Sequence, residues 1–356
     1  MTFTSEEKID ILSLFPDEIA SLMAELGEPK YRAKQIFTWL HRGKGLSEMT
    51  DIPKKLREKL EEKCIFKLPE IEQKLVSKID GTIKYLWRLY DGNTVESVFM
   101  RYKHGNTVCI SSQVGCRMGC AFCASTIGGK VRDLAASEML GQIIATELDT
   151  GEKVSGVVMM GIGEPLDNYD NSVRFLRLVN EKDGLCIGHR HISLSTCGIV
   201  PKIYELAEQD MQITLSISLH AYDNDTRSSL MPVNKKWDVY TLLEACYNYF
   251  EKTGRRISFE YTLISSKNDS AENAYELASL LNKTLRRGAS PMPIHVNLIP
   301  VNPVSGKGFT SSDKNAVNTF AAVLEKHGIN ATVRRKLGAD INASCGQLRR
   351  KNAQKD

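Results

Sequence analysis

The residues best suited to chemistry are three thiols in the stretch Cys116-Arg-Met-Gly-Cys120-Ala-Phe-Cys123, set at x3 then x2 spacing. They follow a strand expected over Thr107 to Gln113. Three thiolates on one tight loop can hold three irons of a four-iron, four-sulfur cube, and no nearby fourth cysteine completes the shell. A corner left vacant is a place to bind and cleave a ligand. A structural zinc site needs four closed ligands, usually as Cys-x2-Cys pairs or a Cys pair with His-x3-5-His, and neither lies within reach. The bland alternative is three buried thiols filling a core.

The rest of the composition bounds what surrounds that loop. The 356 residues are 42% hydrophobic and 25% charged, ordinary for one large α/β domain plus an accessory piece. No apolar run approaches the ~20 residues of a membrane span, and the polar start is no signal peptide, so the expected location is cytoplasmic. Nine cysteines, an odd number, argue for reduced thiols rather than a disulfide framework. The net charge of +4 is mild, but basic residues cluster at Arg255-Arg256, Arg286-Arg287, Arg334-Arg335-Lys336 and Arg349-Arg350-Lys351. Such clusters favour a nucleic-acid partner weakly and are otherwise solvated surface.

The elements that must position the thiols can be read from period and punctuation. Residues 1–72 read as a small helical accessory domain, with helices over Asp17 to Leu26, Tyr31 to His41 and Pro53 to Cys64 and a basic surface open to RNA contact. Residues 73–106 change to β-branched and aromatic runs broken by Asp80-Gly81, Asp91-Gly92 and His104-Gly105-Asn106, the signature of an antiparallel β extension. That extension brings Glu96 close along the sheet to Cys109.

Over residues 107–330 strands and helices alternate in about six β/α units, the pattern of a parallel sheet with crossover helices. Six units fall short of the eight that close a full barrel, so the expected fold is α/β, a partial, laterally open (βα)6 barrel with its ligand at the C-terminal strand ends. Residues 331–356 form a C-terminal segment beyond the repeat.

Polar groups arrive at those strand ends. The second strand leads into Gly161-Ile-Gly163-Glu164-Pro165, where small residues let backbone approach a ligand and a carboxylate can take an ammonium. Ser195, then Ser218, Leu219 and His220, then Asn302 follow at later strand ends. Singly, each reads as a satisfied polar cap; together they mark one rim. Cys345, beside Gly346 in a polar loop, is a thiol that becomes a nucleophile if accessible. Cys246 shares a helical face with Val239, Leu242 and Leu243 and reads as core.

Cys116-x3-Cys120-x2-Cys123, Gly163-Glu164-Pro165-Leu-Asp-Asn, Ser218-Leu-His-Ala, Val296-Asn-Leu-Ile-Pro and Cys345-Gly-Gln-Leu together resemble the RlmN/Cfr family of radical S-adenosylmethionine (SAM) RNA methyltransferases over nearly the whole chain. The resemblance implies the fold already expected and a 4Fe-4S cluster on Cys116, Cys120 and Cys123, whose open iron chelates SAM. It implies SAM contacts from Gly163, Glu164, Ser195, Ser218, Leu219, His220 and Asn302. Gly-Glu-Pro looks like the branch acting on carbon 2 of adenosine; the branch acting on carbon 8 tends to have Ala in place of Pro. Asn342, where Asp is common, and Ser344, where Ala is common, depart from the pattern around Cys345.

Carbon 2 of adenine lies between two ring nitrogens and is too electron-poor to attack a SAM methyl. The resemblance implies a detour using two SAM molecules per turnover. One SAM methylates Cys345. The second, cleaved reductively, yields a radical that takes a hydrogen from that S-methyl group, and the resulting carbon radical adds to the ring. Glu96 matches the proton acceptor, with Cys109 a competitor for that role. Cys109 matches the resolving thiol, which releases product as a transient disulfide with Cys345.

The implied partners are 23S rRNA near the peptidyl transferase centre, the adenosine beside the anticodon in some tRNAs, a cellular electron donor and a thiol reductant, with no membrane and the enzyme a monomer. Two rivals remain at this level: a radical SAM enzyme acting on a protein or small molecule, and a non-catalytic metal-binding RNA module.

Overall fold

Strand runs between residues 107 and 333 that are apolar on both sides require cover on two faces, and a parallel sheet sheathed by helices provides it. The computed structural model describes residues 8–287, 291–302, 304, 307–341 and 343. In chain order the elements are β1 (Ile9–Asp10), α1 (Pro16–Glu25), α2 (Arg32–His41), α3 (Lys54–Lys63), β2 (Cys64–Ile65), β3 (Glu70–Val76), β4 (Ile83–Arg88), β5 (Thr94–Tyr102) and β6 (Gly105–Cys109). Then come β7 (Gln113–Gly115), β8 (Lys130–Asp133), α4 (Ala136–Thr150), β9 (Val154–Met159), α5 (Tyr169–Asn180), β10 (Ile192–Thr196), α6 (Val200–Ala207), β11 (Thr214–Ser218), α7 (Asn224–Leu230) and α8 (Val239–Thr253). The series ends with β12 (Ile257–Leu263), α9 (Ala271–Leu285), β13 (Ile294–Pro300), α10 (Lys314–Lys326) and β14 (Asn330–Val333).

Ten strands form one sheet in the order β14-β13-β12-β11-β10-β9-β6-β5-β4-β3. From β6 to β14 neighbours run parallel; from β3 to β6 they run antiparallel. The linear order leaves β14 and β3 as separate edges, so the barrel is open as expected. β12, inside the parallel half, is buried at all seven residues. Helices α8, α9 and α10 start where Asp238, Ser270 and Asp313 accept a hydrogen bond from the backbone three residues on, and α4 and α8 stop at left-handed Gly151 and Gly254.

The Asp-Gly pairs form the expected hairpin turns, with Val76 facing Ile83 and Arg88 facing Thr94, and Gly81 and Gly92 at φ +72° and +82°. The strand expected to reach Gln113 stops at Cys109 instead. After Ile110 the backbone turns to bond the Gly161–Ile162 segment, and Gln113 joins β7, which pairs with β8 and brackets the cysteine loop. The parallel run also extends one strand beyond the six expected units, to β14.

The N-terminal helices share one apolar cluster with the sheet's helices, continuous from Ile11 through Leu60 to the strands. Asp10 and Ser13 bond Ser137 at the start of α4, and Arg174 of α5 reaches Ser13 and Glu18. At the other end, the described C-terminal residues are tied to the β3–β4 turn. Ser77 Oγ donates to Asp340 at 2.7 Å, Lys78 N to the same carboxylate at 2.9 Å, and Gly338 N to Asp80 at 2.9 Å.

The Ser77 hydroxyl and the Lys78 N–H hold the Asp340 carboxyl below its usual range. Burial pushes Asp80 up, but the N–H of Gly338 and both groups of Thr82 outweigh it and bring it to about 2. Both carboxyls therefore bind protons more tightly in the unfolded chain, so their contribution is complete above the ordinary value of 3.8 and fades as pH falls below it toward about 2. Hydrogen exchange at Gly338 should show protection at about pH 5 that is lost only as pH falls through about 2, and the protection of Lys78 should weaken on the same acid side. Asp340→Ala should abolish the Lys78 protection at about pH 5 while sparing Gly338.

Candidate active site

The x3 and x2 spacing folds as a tight loop because its carbonyls and flanks are caught from several sides. Lys307 Nζ donates to Cys120 O at 3.2 Å, Thr126 Oγ1 to Cys123 O at 2.9 Å, and Ala121 N to Leu230 O at 2.8 Å. Asp167, on the loop after β9, accepts from Arg117 Nε at 3.1 Å, Gln113 at 2.9 Å and Lys130 at 3.1 Å. This knot lashes the cysteine loop to the Gly163-Glu164-Pro165 turn, whose Glu164 N–H in turn donates to Gln113.

Cys116, Cys120 and Cys123 line a cavity of about 220 Å³ with Gly163, Glu164, Ser195, Ser218 and His220. These are eight of the ten residues expected around the cluster and SAM; Leu219 instead turns wholly into the core, its N–H on Glu260 O and its carbonyl on Arg227. Asn302 lies a step away, in a second cavity.

Burial, helped by neighbouring thiols and the Glu164 carboxylate, pushes Cys116 up to about 12 and Cys120 up as well. A metal would have to displace those protons. Among the described residues, no three of His, Cys, Asp and Glu converge as a single metal ion requires. A four-iron cube puts each of three thiolates on a different iron, so the three cysteines fit that group and not a closed zinc site.

A fourth thiol, Cys197, also faces this cavity. Burial first, and then Glu164, push it far above its ordinary value, and its side chain is hydrogen-bonded to Glu164. Cys197 is thus held as an S–H donor to the Glu164 carboxylate. Glu164 is fully enclosed; burial raises its carboxyl while the N–H groups of Cys197, at 2.7 Å, and Leu166, at 3.1 Å, oppose the shift. A buried carboxylate fed by backbone donors suits an ammonium ligand.

The two glycines before Glu164 have a cause visible only in three dimensions. A Cβ on Gly161 would meet Ile110 O at 2.5 Å, and one on Gly163, at φ +112°, would meet Gln113 N at 2.7 Å. Both allow the turn to press against the 110–113 backbone that leads into the cysteine loop.

His220, in the left-handed region at φ +61°, accepts at Nδ1 from Thr262 N at 2.9 Å, leaving Nε2–H as its donor. Burial, and then Arg227, lower it to about 3, so it is neutral. Arg227 itself has no exposed surface and donates to Leu219 O, Cys197 O, Ser218 O and Asn234 Oδ1. It clamps the ends of β10 and β11.

A second cavity of about 680 Å³ shares Met160, Gly161, Ile299 and Arg334 with the first. Its wall carries Glu96, Cys109 and Asn302, together with Arg334, Arg335, Lys336 and Ala343. Cys109 faces Val98 across β5–β6, two residues along from Glu96, as the antiparallel extension implied. Burial pushes the Cys109 thiol up, with Arg334 opposing. Glu96 is paired with Lys84 Nζ at 3.0 Å, both fully enclosed. Cys345, Asn342, Ser344 and the Arg349-Arg350 cluster lie outside the described residues.

Residues 110–278 match the radical SAM superfamily model, and residues 9–66 match the ribosomal RNA large subunit methyltransferase N-terminal domain. A curated relative from Clostridium tetani (strain Massachusetts / E88), named "Probable dual-specificity RNA methyltransferase RlmN", is 51% identical over 344 residues, covering 96% of each chain. One of the same name from Alkaliphilus metalliredigens (strain QYMF) is 49% identical, covering 97% of this chain and 96% of its own. The chain belongs to the RlmN family. The crystal structure of a radical SAM methyltransferase from Sphaerobacter thermophilus superposes with a TM-score of 0.89 at 41% identity, covering 95% and 98% of the two chains.

Membership of the radical SAM superfamily implies SAM and a 4Fe-4S cluster. Within this RlmN-family fold, sequence reasoning missed Cys197, Arg227 and Lys84. Lys84 had a signal, a lysine inside the strand run Ile83-Lys84-Tyr85-Leu86-Trp87. Arg227 had none, because four carbonyl and amide partners are assembled only by the fold. Cys246 is in the core, as its helical face implied, and Cys186 is exposed.

Two outcomes are expected. After anaerobic reconstitution, Cys197→Ala should retain full iron and sulfide, whereas alanine at Cys116, Cys120 or Cys123 should lose most of it, read by iron and sulfide assay. Arg227→Met strands several buried carbonyls and should cost at least about 3 kcal/mol in denaturant melts, given ~1–3 kcal/mol per unsatisfied group.

Proposed function

We infer that this chain is an RNA methyltransferase that places a methyl group on carbon 2 of an adenosine, in 23S rRNA at the peptidyl transferase centre and in tRNA beside the anticodon. The observation that carries this reading is the joining of two cavities. One is walled by Cys116, Cys120, Cys123 and Glu164, and the other by Glu96 and Cys109, with Met160, Gly161, Ile299 and Arg334 common to both.

Cys116, Cys120 and Cys123 would hold the cluster, and Glu164, Ser195, Ser218 and His220 would surround SAM. When bound, the cluster and SAM supply a radical able to take hydrogen from a methyl group. Glu164 offers its carboxylate to an ammonium group, and neutral His220 offers Nε2–H to an acceptor. The second cavity, at about 680 Å³, is roomy enough for a flipped base. Arg334, Arg335 and Lys336 on its wall suit the phosphates flanking that base.

Cys345 carries the transferred carbon as an S-methyl group. Ala343, two residues before it, lines the same cavity as Glu96 and Cys109, which supports a meeting of the two thiols there. Glu96 takes the ring proton, and Cys109 then attacks the Cys345 sulfur, leaving a disulfide for a thiol reductant. Turnover uses two SAM molecules and an external electron donor, and the enzyme works as a monomer in the cytoplasm, where its RNA is. No described helix is long and apolar enough to cross a membrane.

Mass spectrometry of RNA from cells lacking this protein should show loss of 2-methyladenosine from rRNA and tRNA; unchanged levels in a strain with no second copy sink the reading. Cys345→Ala should abolish methyl transfer to RNA yet leave reductive SAM cleavage. RNA affinity should drop by at least about tenfold between 50 and 200 mM salt if three or more phosphates are contacted.

A further inference from the structure

Lys84 is a charge buried inside a strand. It sits in β4 between Ile83 and Tyr85 with no exposed surface, and its Nζ lies 3.0 Å from Oε2 of equally enclosed Glu96. The strand registers set it on a functional face. Lys84 is opposite Val98, Val98 is opposite Cys109, and Glu96 is two residues along β5 on the same side. A single row across three strands thus carries an ammonium and a thiol, with a carboxylate diagonal to both.

A buried ammonium is strongly unfavourable unless paired, and an apolar pair of similar volume is often as stable or more so. Packing alone therefore gives no reason for this pair. The place of its carboxylate, Glu96, in the wall of the cavity read above as the adenosine pocket does.

We propose that Lys84 is a positioning residue for the base: its ammonium, 3.0 Å from the Glu96 carboxylate, holds that carboxylate fixed in the wall, so that Glu96, and not Cys109, takes the ring proton. The inference rests on the S-methylcysteine route given under Proposed function. Cys109 is enclosed and its thiol is pushed up by burial, so it is a protonated group with no vacancy for a second proton. Its useful capacity is as the later sulfur nucleophile.

When held by Cys116, Cys120 and Cys123, the iron–sulfur cluster would supply the one-electron acceptor for the odd electron left on the ring by radical addition. The ring C–H bond breaks, its electron pair restores aromaticity, and the proton goes to Glu96. The Cys109 sulfur then bonds the Cys345 sulfur, the bond from Cys345 sulfur to the methylene carbon breaks, and its pair stays on that carbon. The proton of the Cys109 thiol ends on the same carbon, completing the methyl group, and a thiol reductant returns two electrons to the disulfide.

The test compares wild type, Lys84→Met, Lys84→Arg, Glu96→Gln and Cys109→Ala, reconstituted anaerobically and supplied with SAM and an rRNA fragment. Lys84→Met should methylate at least about tenfold more slowly, in keeping with the ~10²–10⁴ range of a lost base. It should still cleave SAM, and should accumulate a protein–RNA adduct that survives a denaturing gel, as Glu96→Gln should. Lys84→Arg should recover most of the rate.

A direct reading uses the metal-free protein. The infrared carboxylate band that Glu96→Gln removes should be sharp in wild type and displaced in Lys84→Met, where the ammonium that holds it is gone. If Lys84→Met does not fold, Lys84→Met combined with Glu96→Gln removes both charges together and should accumulate the same adduct.

A rate within twofold of wild type, or a carboxylate band unmoved in Lys84→Met, overturns the proposal. So does the absence of adduct in Lys84→Met, or in the combined variant where that replaces it, while Cys109→Ala accumulates it. Absence of adduct from Cys109→Ala as well overturns the S-methylcysteine route itself.

Discussion

Charge buried within the sheet and at its strand ends is the constraint on which this structure turns. Arg227, Glu164, Glu260, Lys84 and Glu96 are all enclosed, and each would be untenable without a partner. Arg227 spends its guanidinium on the carbonyls that end β10 and β11, and Glu260 takes Asn297 at 2.7 Å and Ser258 at 3.1 Å. Glu164 is met by backbone N–H groups, and Glu96 by Lys84. Each solution fixes a strand end or cavity wall, so the energy that makes the charges tolerable is also what makes the site rigid.

The same logic explains how a loop of three cysteines can keep its shape. Glycine and small residues in such a loop have little packing of their own. Asp167 gathers Gln113, Arg117 and Lys130, and these tie β7, the cysteine loop and β8 to the turn that carries Glu164. Gly161 and Gly163 let that turn lie against the strand exit. The cysteine cavity and the Glu164 turn are thus two sides of one knot.

The antiparallel half of the sheet has a different role. It adds no crossover helix and leaves β3 as an exposed edge, yet it delivers Glu96, Lys84 and Cys109 to one face through register alone. The described C-terminal residues return to this half, bound at Ser77, Lys78 and Asp80. A segment far from Cys109 in sequence is thereby anchored beside the cavity that Cys109 lines.

Much of this was determined by local chemistry that the sequence carries openly. Period and turn residues set the helices, the hairpins at Asp80-Gly81 and Asp91-Gly92, and the six β/α units, because each depends on neighbours a few residues away. The spacing of Cys116, Cys120 and Cys123 and the carboxylate of Glu164 are legible for the same reason. The end of β6 at Cys109, the β7–β8 bracket, the seventh parallel strand, the inward turn of Leu219 and the seat of Asn302 in the second cavity were decided by tertiary structure. So were the Arg227 clamp, the Cys197 thiol on Glu164 and the Lys84–Glu96 pair, since each depends on groups brought together from distant parts of the chain, where spacing along the sequence holds no information about distance in space.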